Sequence, residues 1–129
     1  MLTSELSILA LYGLLVAITL LLQASGSMSQ LGMGYLLSSR DEGRSASGIA
    51  ARLDRALSNS VTAMALFAPA VLIIALREQS SQSSLLAAQI FLLARVVYLP
   101  AYAFKISGIR TLAWTIGFFA TILLYFMAL

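Results

Sequence analysis

The chain has 129 residues, of which 60% are hydrophobic and 10% charged, with a formal net charge of +3 and a mean hydropathy of +0.95. Soluble domains carry about 45–50% apolar and ~25% charged residues. This composition therefore excludes a soluble domain and indicates a membrane protein. Cysteine and histidine are both absent, which excludes disulfides, thiol nucleophiles, imidazole bases and the commonest metal ligands. We therefore expect no metal site. The basic residues lie beside apolar stretches, so we also expect no nucleic-acid partner.

Four long apolar stretches account for nearly the whole chain. Each holds the ~20 residues that a helix needs to cross a hydrocarbon core of about 30 Å. The predicted spans are residues 5–23, 53–76, 85–104 and 111–128. They predict an all-α fold, an integral membrane four-helix bundle that forms a single domain over residues 1–129. The small residues after the first span leave two interpretations open, a helix that continues in close contact with a neighbour or a frayed exit.

The distribution of lysine and arginine between the spans predicts the orientation of the chain. Most of these residues lie in the first loop, Ser38–Arg55, and in the third, Lys105–Arg110. Short loops rich in lysine and arginine stay in the cytoplasm. We therefore expect loops one and three to be cytoplasmic in a bacterial inner membrane, with both termini opposite. The first stretch follows no basic residue and is interpreted as a retained span rather than a signal peptide.

Two spans carry polar residues at helical spacing. The second span has Arg52, Arg55, Asn59 and Thr62 on one face, and the third has Arg95, Tyr98 and Tyr102 on one face. A charged side chain in the hydrocarbon costs at least ~2.5–3.5 kcal/mol, so it usually faces the interior of a bundle or a watery cavity. We therefore predict that Arg95 points inward.

Positive charge exceeds negative charge at this end of the two spans. The only nearby acidic residue on the second span, Asp54, lies off the polar face. An anionic ligand is the hypothesis that balances the cluster of Arg52, Arg55, Arg95, Lys105 and Arg110. The alternative is structural: Arg95 caps backbone carbonyls or pairs across a subunit interface, and Asn59 forms an ordinary interhelical hydrogen bond.

Two segments resemble the signature regions of a known family. They are "RLDRALSNSVTAMALF", Arg52–Phe67, and "ARVVYLPAYAFKISGIR", Ala94–Arg110. Both resemble the MAPEG superfamily, the membrane-associated proteins of eicosanoid and glutathione metabolism, and the likeness covers nearly the whole chain. It implies four-helix protomers assembled as a homotrimer, with glutathione bound between neighbouring subunits toward the cytoplasm.

The resemblance assigns roles to individual residues. It places Arg55 and Asn59 in a motif that contacts glutathione, and it places Arg95, Tyr98 and Tyr102 in a third-helix motif that lines the same site. With one extra residue in the turn, Arg110 matches the arginine that stabilises the glutathione thiolate, which makes it the expected catalytic residue. The polar face of the second span adds Arg52 as a further expected ligand-binding residue. Arg40 loosely matches a basic residue that ends the first helix.

One position departs from the family pattern. The motif Asn-x-x-Glu reads Asn59-Ser60-Val61-Thr62 in this chain. The carboxylate that meets the glutathione amino group is therefore replaced by an uncharged hydroxyl, which weakens the expectation that glutathione is the cofactor.

Three functions follow from these features. The first is a glutathione-dependent transferase or peroxidase that acts on lipophilic small molecules by thiolate activation. The alternative is a non-catalytic membrane protein that binds an anionic lipid or fatty acid in the same inter-helix site. A small proton-coupled exporter is disfavoured, because it needs a carboxylate deep in the membrane and Glu5 lies close to the N-terminus.

Overall fold

The computed structural model describes residues 3–31 and 48–129, and all regular secondary structure within them is helical. The four helices are α1 (Glu5–Leu31), α2 (Gly48–Leu76), α3 (Gln82–Ala103) and α4 (Ser107–Ala128). Each is long and apolar enough to cross a membrane. The predicted all-α fold, with four helices long and apolar enough to span a membrane, is thereby confirmed. Most of the predicted first loop, including Arg40 and Arg44, lies outside the described residues.

The helices are longer than the apolar spans predicted from hydropathy. Hydropathy marks only the part of a helix that tolerates lipid, whereas backbone hydrogen bonding continues into polar flanking residues. At the start of α3, Ser81 and Ser84 form a capping box: each side chain accepts a hydrogen bond from the backbone N–H of the other, at 3.2 and 2.8 Å. This cap starts α3 at Gln82, three residues before the predicted start of the third span.

Three aromatic side chains from three helices form the centre of the core. Phe67 of α2 stacks on Phe91 of α3 with ring centroids 3.9 Å apart, and Tyr12 of α1 meets the Phe91 ring edge-on at 4.9 Å. All three are buried. Aromatic pairs contribute about 0.5–1.5 kcal/mol beyond their burial, so this cluster fixes α1, α2 and α3 relative to one another. Helix α4 packs on the other side, against α2 and α3.

The small residues after the first apolar span continue as a helix in close contact with α2. Helix α1 runs on to Leu31, and a Cβ atom built on Gly26 would lie 3.1 Å from the Cβ of Ala50. Of the two interpretations left open by the sequence, the structure therefore supports the closely packed helix. Glycine allows this approach because it carries no side chain.

We expect Gly26→Leu to destabilise the bundle by about 1–3 kcal/mol, because the new side chain has no room beside Ala50. The matched control is Gly13→Ala, whose added Cβ meets only the flexible end of Met64 at 3.8 Å. The unfolding temperatures of the detergent-solubilised variants provide the measurement. Equal unfolding temperatures for the two variants would contradict the close contact between α1 and α2.

At the opposite end of the bundle from Arg52, Arg55 and Arg110, the Glu5 carboxylate is buried among hydroxyl groups. The Ser80 hydroxyl lies 2.8 Å from both carboxylate oxygens, and the Ser84 hydroxyl donates to Oε1. Only 6% of Glu5 is exposed. These bonds fasten the start of α1 to the turn between α2 and α3, which gives Glu5 a structural role.

Candidate ligand-binding site

Arg95 points into the bundle, as the sequence predicted. Only 3% of its surface is exposed. Its Nη1 donates to Asn59 Oδ1 at 3.0 Å and its Nη2 donates to Ser60 Oγ at 2.9 Å. The guanidinium carbon also lies 4.1 Å from the centroid of the Tyr98 ring, which makes a cation–π contact. The partners of Arg95 are thus one amide, one hydroxyl and one aromatic face, all of them uncharged.

The polar faces of α2 and α3 meet along their length. One turn above the Asn59–Arg95 pair, Arg55 Nε donates to the Tyr102 hydroxyl at 3.2 Å. Further along, Arg52 Nε donates to the backbone carbonyl of Ala103 at 2.8 Å. Arg52 therefore satisfies a carbonyl in the last turn of α3, where helical carbonyls lack an intrahelical partner. The carbonyl-capping role that the sequence left open for Arg95 is filled in this structure by Arg52.

A second arginine approaches the same tyrosine from α4. The guanidinium carbon of Arg110 lies 4.8 Å from the centroid of the Tyr102 ring, and that of Arg55 lies 6.0 Å from it. The Tyr98 and Tyr102 rings are neighbours, with centroids 5.6 Å apart. An open cleft of about 350 Å³, which we call the outer cleft, is bordered by Tyr98, Tyr102, Arg110, Thr111 and Trp114. Arg55 lies beside it, through its contact with Tyr102.

A smaller cleft of about 140 Å³ lies deeper, between α2 and α4, and we call it the inner cleft. Asn59, Thr62 and Arg95 line its polar part. Trp114 borders both clefts. The position of Trp114 at both clefts was not predicted from the sequence. Thr62 lies at the edge of the inner cleft, and its hydroxyl donates to the Ser58 carbonyl at 3.1 Å.

Two supporting residues were missed at the level of sequence. Ser60 is buried and holds Nη2 of Arg95, although it lies beside the predicted polar face rather than on it. Tyr12 is fully buried on α1, and its hydroxyl donates to the Ser60 carbonyl at 2.7 Å. A single tyrosine within an otherwise apolar span was the available signal, because a buried tyrosine hydroxyl usually finds a partner.

No ion pair forms within residues 3–31 and 48–129, so the described carboxylates neutralise none of these arginines. Arg95 Nε is buried without a hydrogen-bond partner among these residues. No group of three or more metal-ligating carboxylates is present in the same part of the chain. The chemistry of the site is therefore that of guanidinium and phenol groups, which bind anions and hydrogen-bond acceptors.

Comparison with protein families identifies a match over nearly the whole chain. The family model described as the MAPEG family matches residues 6–129. A comparison with curated proteins gave no match.

Proposed function

Because this chain belongs to the MAPEG family, we propose that it is a glutathione-dependent transferase or peroxidase for lipophilic electrophiles. The observation that supports this proposal is the convergence of Arg55 and Arg110 on Tyr102, with no carboxylate of the described residues paired to either. Glutathione carries two carboxylates and one thiol. Arginine is well suited to carboxylates because its planar N–H groups form two parallel hydrogen bonds.

In this proposal glutathione occupies the outer cleft and extends along α2 past Arg55 toward Thr62 at the edge of the inner cleft. Arg55 and Arg110 bind its carboxylate groups and lie near its thiol, while Tyr98 and Tyr102 donate phenolic hydrogen bonds. Arg110 has the catalytic role, because a nearby cation stabilises a thiolate more than a thiol. The thiol proton leaves to water. The sulfur then attacks the electrophilic carbon, and the leaving group departs with its bonding electrons.

The bilayer would supply the second reactant. The inner cleft is lined by exposed side chains of α2 and α4, including Leu66, Trp114 and Phe118. These lie in membrane-length helices, so a lipophilic molecule reaches them from the lipid rather than from water. The chain needs no nucleophile of its own for this chemistry, which agrees with the absence of cysteine and histidine.

A homotrimer and a cytoplasmic position for this end of the bundle belong to the same proposal. Arg55, Ser58 and Thr62 are exposed on α2 although they belong to a membrane-length helix. Polar groups facing lipid are unfavourable, so a neighbouring copy or a ligand would stabilise this face. The positive charge of loops one and three supports the cytoplasmic orientation.

A second candidate function is the non-catalytic binding of an anionic lipid or fatty acid. Thr62 favours it, because a fatty acid has no amino group and therefore needs no carboxylate at this position. The arginines would bind the lipid carboxylate or phosphate, and the membrane would hold the acyl chains.

Thermal unfolding with added ligands separates the two functions. We expect glutathione to raise the unfolding temperature of the detergent-solubilised protein, since a ligand present at a hundred times its Kd stabilises by about 2.7 kcal/mol. Arg55→Gln should require about a tenfold or higher glutathione concentration for the same rise in unfolding temperature. Arg77→Gln is the matched control, because Arg77 is exposed in the turn at the other end. Stabilisation by oleate but not by millimolar glutathione would reject the transferase and support the lipid-binding protein.

A further inference from the structure

An apolar groove of about 270 Å³ runs between α3 and α4 on a separate face of the bundle, and we call it the α3–α4 groove. Two buried alanines, Ala94 and Ala113, lie between exposed aliphatic side chains that form its walls. The wall residues are Ile90, Leu93, Val97, Ile109, Leu112 and Ile116. The groove shares no residue with the inner cleft or the outer cleft, so it is a surface distinct from the candidate ligand-binding site.

One end of the α3–α4 groove meets a cation. On α4 the groove begins at Ile109, four residues after Lys105, and on α3 it ends at Val97, eight residues before Lys105. Lys105 is exposed in the turn between these helices and borders neither cleft. No carboxylate of residues 3–31 and 48–129 forms an ion pair with it. The groove thus leads from an apolar channel to a positive charge that is available to a ligand.

The backbone holds Lys105 in a conformation that favours glycine. Helix α3 ends in a Schellman motif, in which the Ile106 N–H donates to the Ala101 carbonyl at 2.8 Å and the Lys105 N–H donates to the Tyr102 carbonyl at 3.3 Å. Lys105 occupies the left-handed position of this motif, with a φ of 60°. Glycine is usual there because a Cβ atom is unfavourable in this conformation. A lysine held there is a reason to look for a function of its side chain.

The length of the groove matches an acyl chain within one leaflet. At about 1.5 Å per residue, Ile90 lies roughly 22 Å from the level of Lys105 along α3. One leaflet supplies about 15 Å of the hydrocarbon core. A lipid with its headgroup at Lys105 would therefore lay a chain along the groove within its own leaflet. A soluble anion would make no use of the apolar walls, and an apolar helix would make no use of the charge.

We propose that the α3–α4 groove binds an anionic glycerophospholipid, with one acyl chain between its walls and its phosphate on Lys105. Phosphatidylglycerol fits this charge pattern. Phosphatidylethanolamine fits it less well, because its own ammonium group neutralises the phosphate and is repelled by Lys105. One lysine near a membrane surface contributes an attraction that corresponds to about a fivefold preference for the anionic lipid. This inference does not depend on the proposed transferase function.

Fluorescence quenching by brominated lipids tests the location of this site. The variant Val97→Trp carries a tryptophan in the groove, and a Trp114→Phe background removes the only natural one. The full chain is reconstituted in phosphatidylethanolamine vesicles that contain increasing amounts of dibrominated phosphatidylglycerol. We expect the brominated anionic lipid to be preferred about fivefold at this tryptophan over the phosphatidylethanolamine it replaces.

The matched control for location is Ile18→Trp in the same background. Ile18 is exposed on α1 and lies eight residues before Gly26, which meets Ala50 at the same end of the bundle as Lys105. Val97 likewise lies eight residues before Lys105, so the two tryptophans report on similar depths. Ile18 does not border the groove. Its tryptophan should therefore show a preference close to one.

Two substitutions of Lys105 test the charge. Lys105→Gln and Lys105→Gly should both reduce the preference at Val97→Trp to about one. Lys105→Gly should also raise the unfolding temperature in detergent by about 2–4 °C, because glycine relieves the left-handed position. Glu78→Gly is the matched control, since Glu78 occupies the same position of a Schellman motif at the end of α2, with a φ of 52°. It should raise the unfolding temperature similarly and leave the lipid preference unchanged.

Equal preferences at Val97→Trp and Ile18→Trp would overturn the site, because a general surface charge would then account for both. A preference that survives Lys105→Gln would refute the role of Lys105. Quenching at Ile18→Trp but not at Val97→Trp would show that protein, such as a second copy of the chain, covers the groove in place of lipid. The vesicles contain no glutathione, so these failures are distinct from a failure of the transferase function.

Discussion

Glutathione is expected to bind roughly tenfold to a hundredfold more tightly to a Thr62→Glu variant than to the unchanged chain. Thr62 lies three residues after Asn59 at the edge of the inner cleft. Its hydroxyl already donates a hydrogen bond to the Ser58 carbonyl. A carboxylate there would meet the ammonium group of glutathione. A hydrogen bond to a charged group contributes about 1.5–3 kcal/mol, which corresponds to the expected change in Kd.

The matched control for this prediction is Thr62→Gln, which has nearly the same length and shape as the glutamate but no charge. Isothermal titration of both variants, with glutathione and with a deaminated analogue, isolates the charged contact. Only the glutamate variant with intact glutathione should gain affinity. An equal gain with the deaminated analogue would show that Thr62 does not lie near the amino group.

Helical spacing was sufficient to predict a polar face on α2 and another on α3. Residues at intervals of three and four share a face, and a charged group in a span turns inward. These two rules give each helix its polar face and turn Arg95 inward, and the structure joins the two faces through contacts between Asn59 and Arg95 and between Arg55 and Tyr102. The family resemblance led to the same residues, and the match over residues 6–129 confirms the family.

Individual side-chain contacts between helices could not be predicted from helical periodicity. The pattern on α2 does not distinguish Arg52, which satisfies the Ala103 carbonyl, from Arg55, which meets Tyr102. Tyr12 belongs to a helix with no polar face, so the sequence of its own span does not predict its hydrogen bond to the Ser60 carbonyl. Such pairings depend on which helices become neighbours and on their relative heights.

The extent of the helices was also underestimated, for a related reason. Residues 24–31 are small and partly polar, so hydropathy ended the first span before them, yet close packing of Gly26 on Ala50 supports their helical continuation. Likewise the sequence placed Glu5 at the exposed end of a span. In the structure the hydroxyls of Ser80 and Ser84 bind its carboxylate and bury it. In both cases a partner from another helix overrides the local preference.

The surroundings of Arg95 suggest why its charge is kept despite its burial. An amide and a hydroxyl satisfy two of its N–H groups, and the Tyr98 ring stabilises the cation, but none of them removes the charge. A buried charge without a counter-ion is expensive, and an apolar residue of similar volume is often as stable or more so. Packing alone does not explain an arginine at this position. Binding of a ligand with hydrogen-bond acceptor groups does explain it.

Arg110→Met should slow glutathione transfer about thirtyfold at pH 7 and have little effect above about pH 9. A free cysteine thiol has a pKa of about 8.5, so about 3% of it is thiolate at pH 7. A cation beside the thiol stabilises the thiolate and lowers that pKa, so the unchanged chain would hold a fully formed nucleophile at neutral pH. Arg110 lies 4.8 Å from the Tyr102 ring in the outer cleft and is the cation assigned to this role.

The pH profile of kcat distinguishes this role from a purely structural one. The rate of Arg110→Met should rise nearly tenfold per pH unit up to about pH 8.5, because the thiol then ionises without help. The unchanged chain should show a flat profile over the same range. Lys105→Met is the matched control, since Lys105 is an exposed cation in the adjacent turn and does not border the outer cleft. A loss of rate that is equal at every pH would mean that Arg110 holds the ligand in place without stabilising its thiolate.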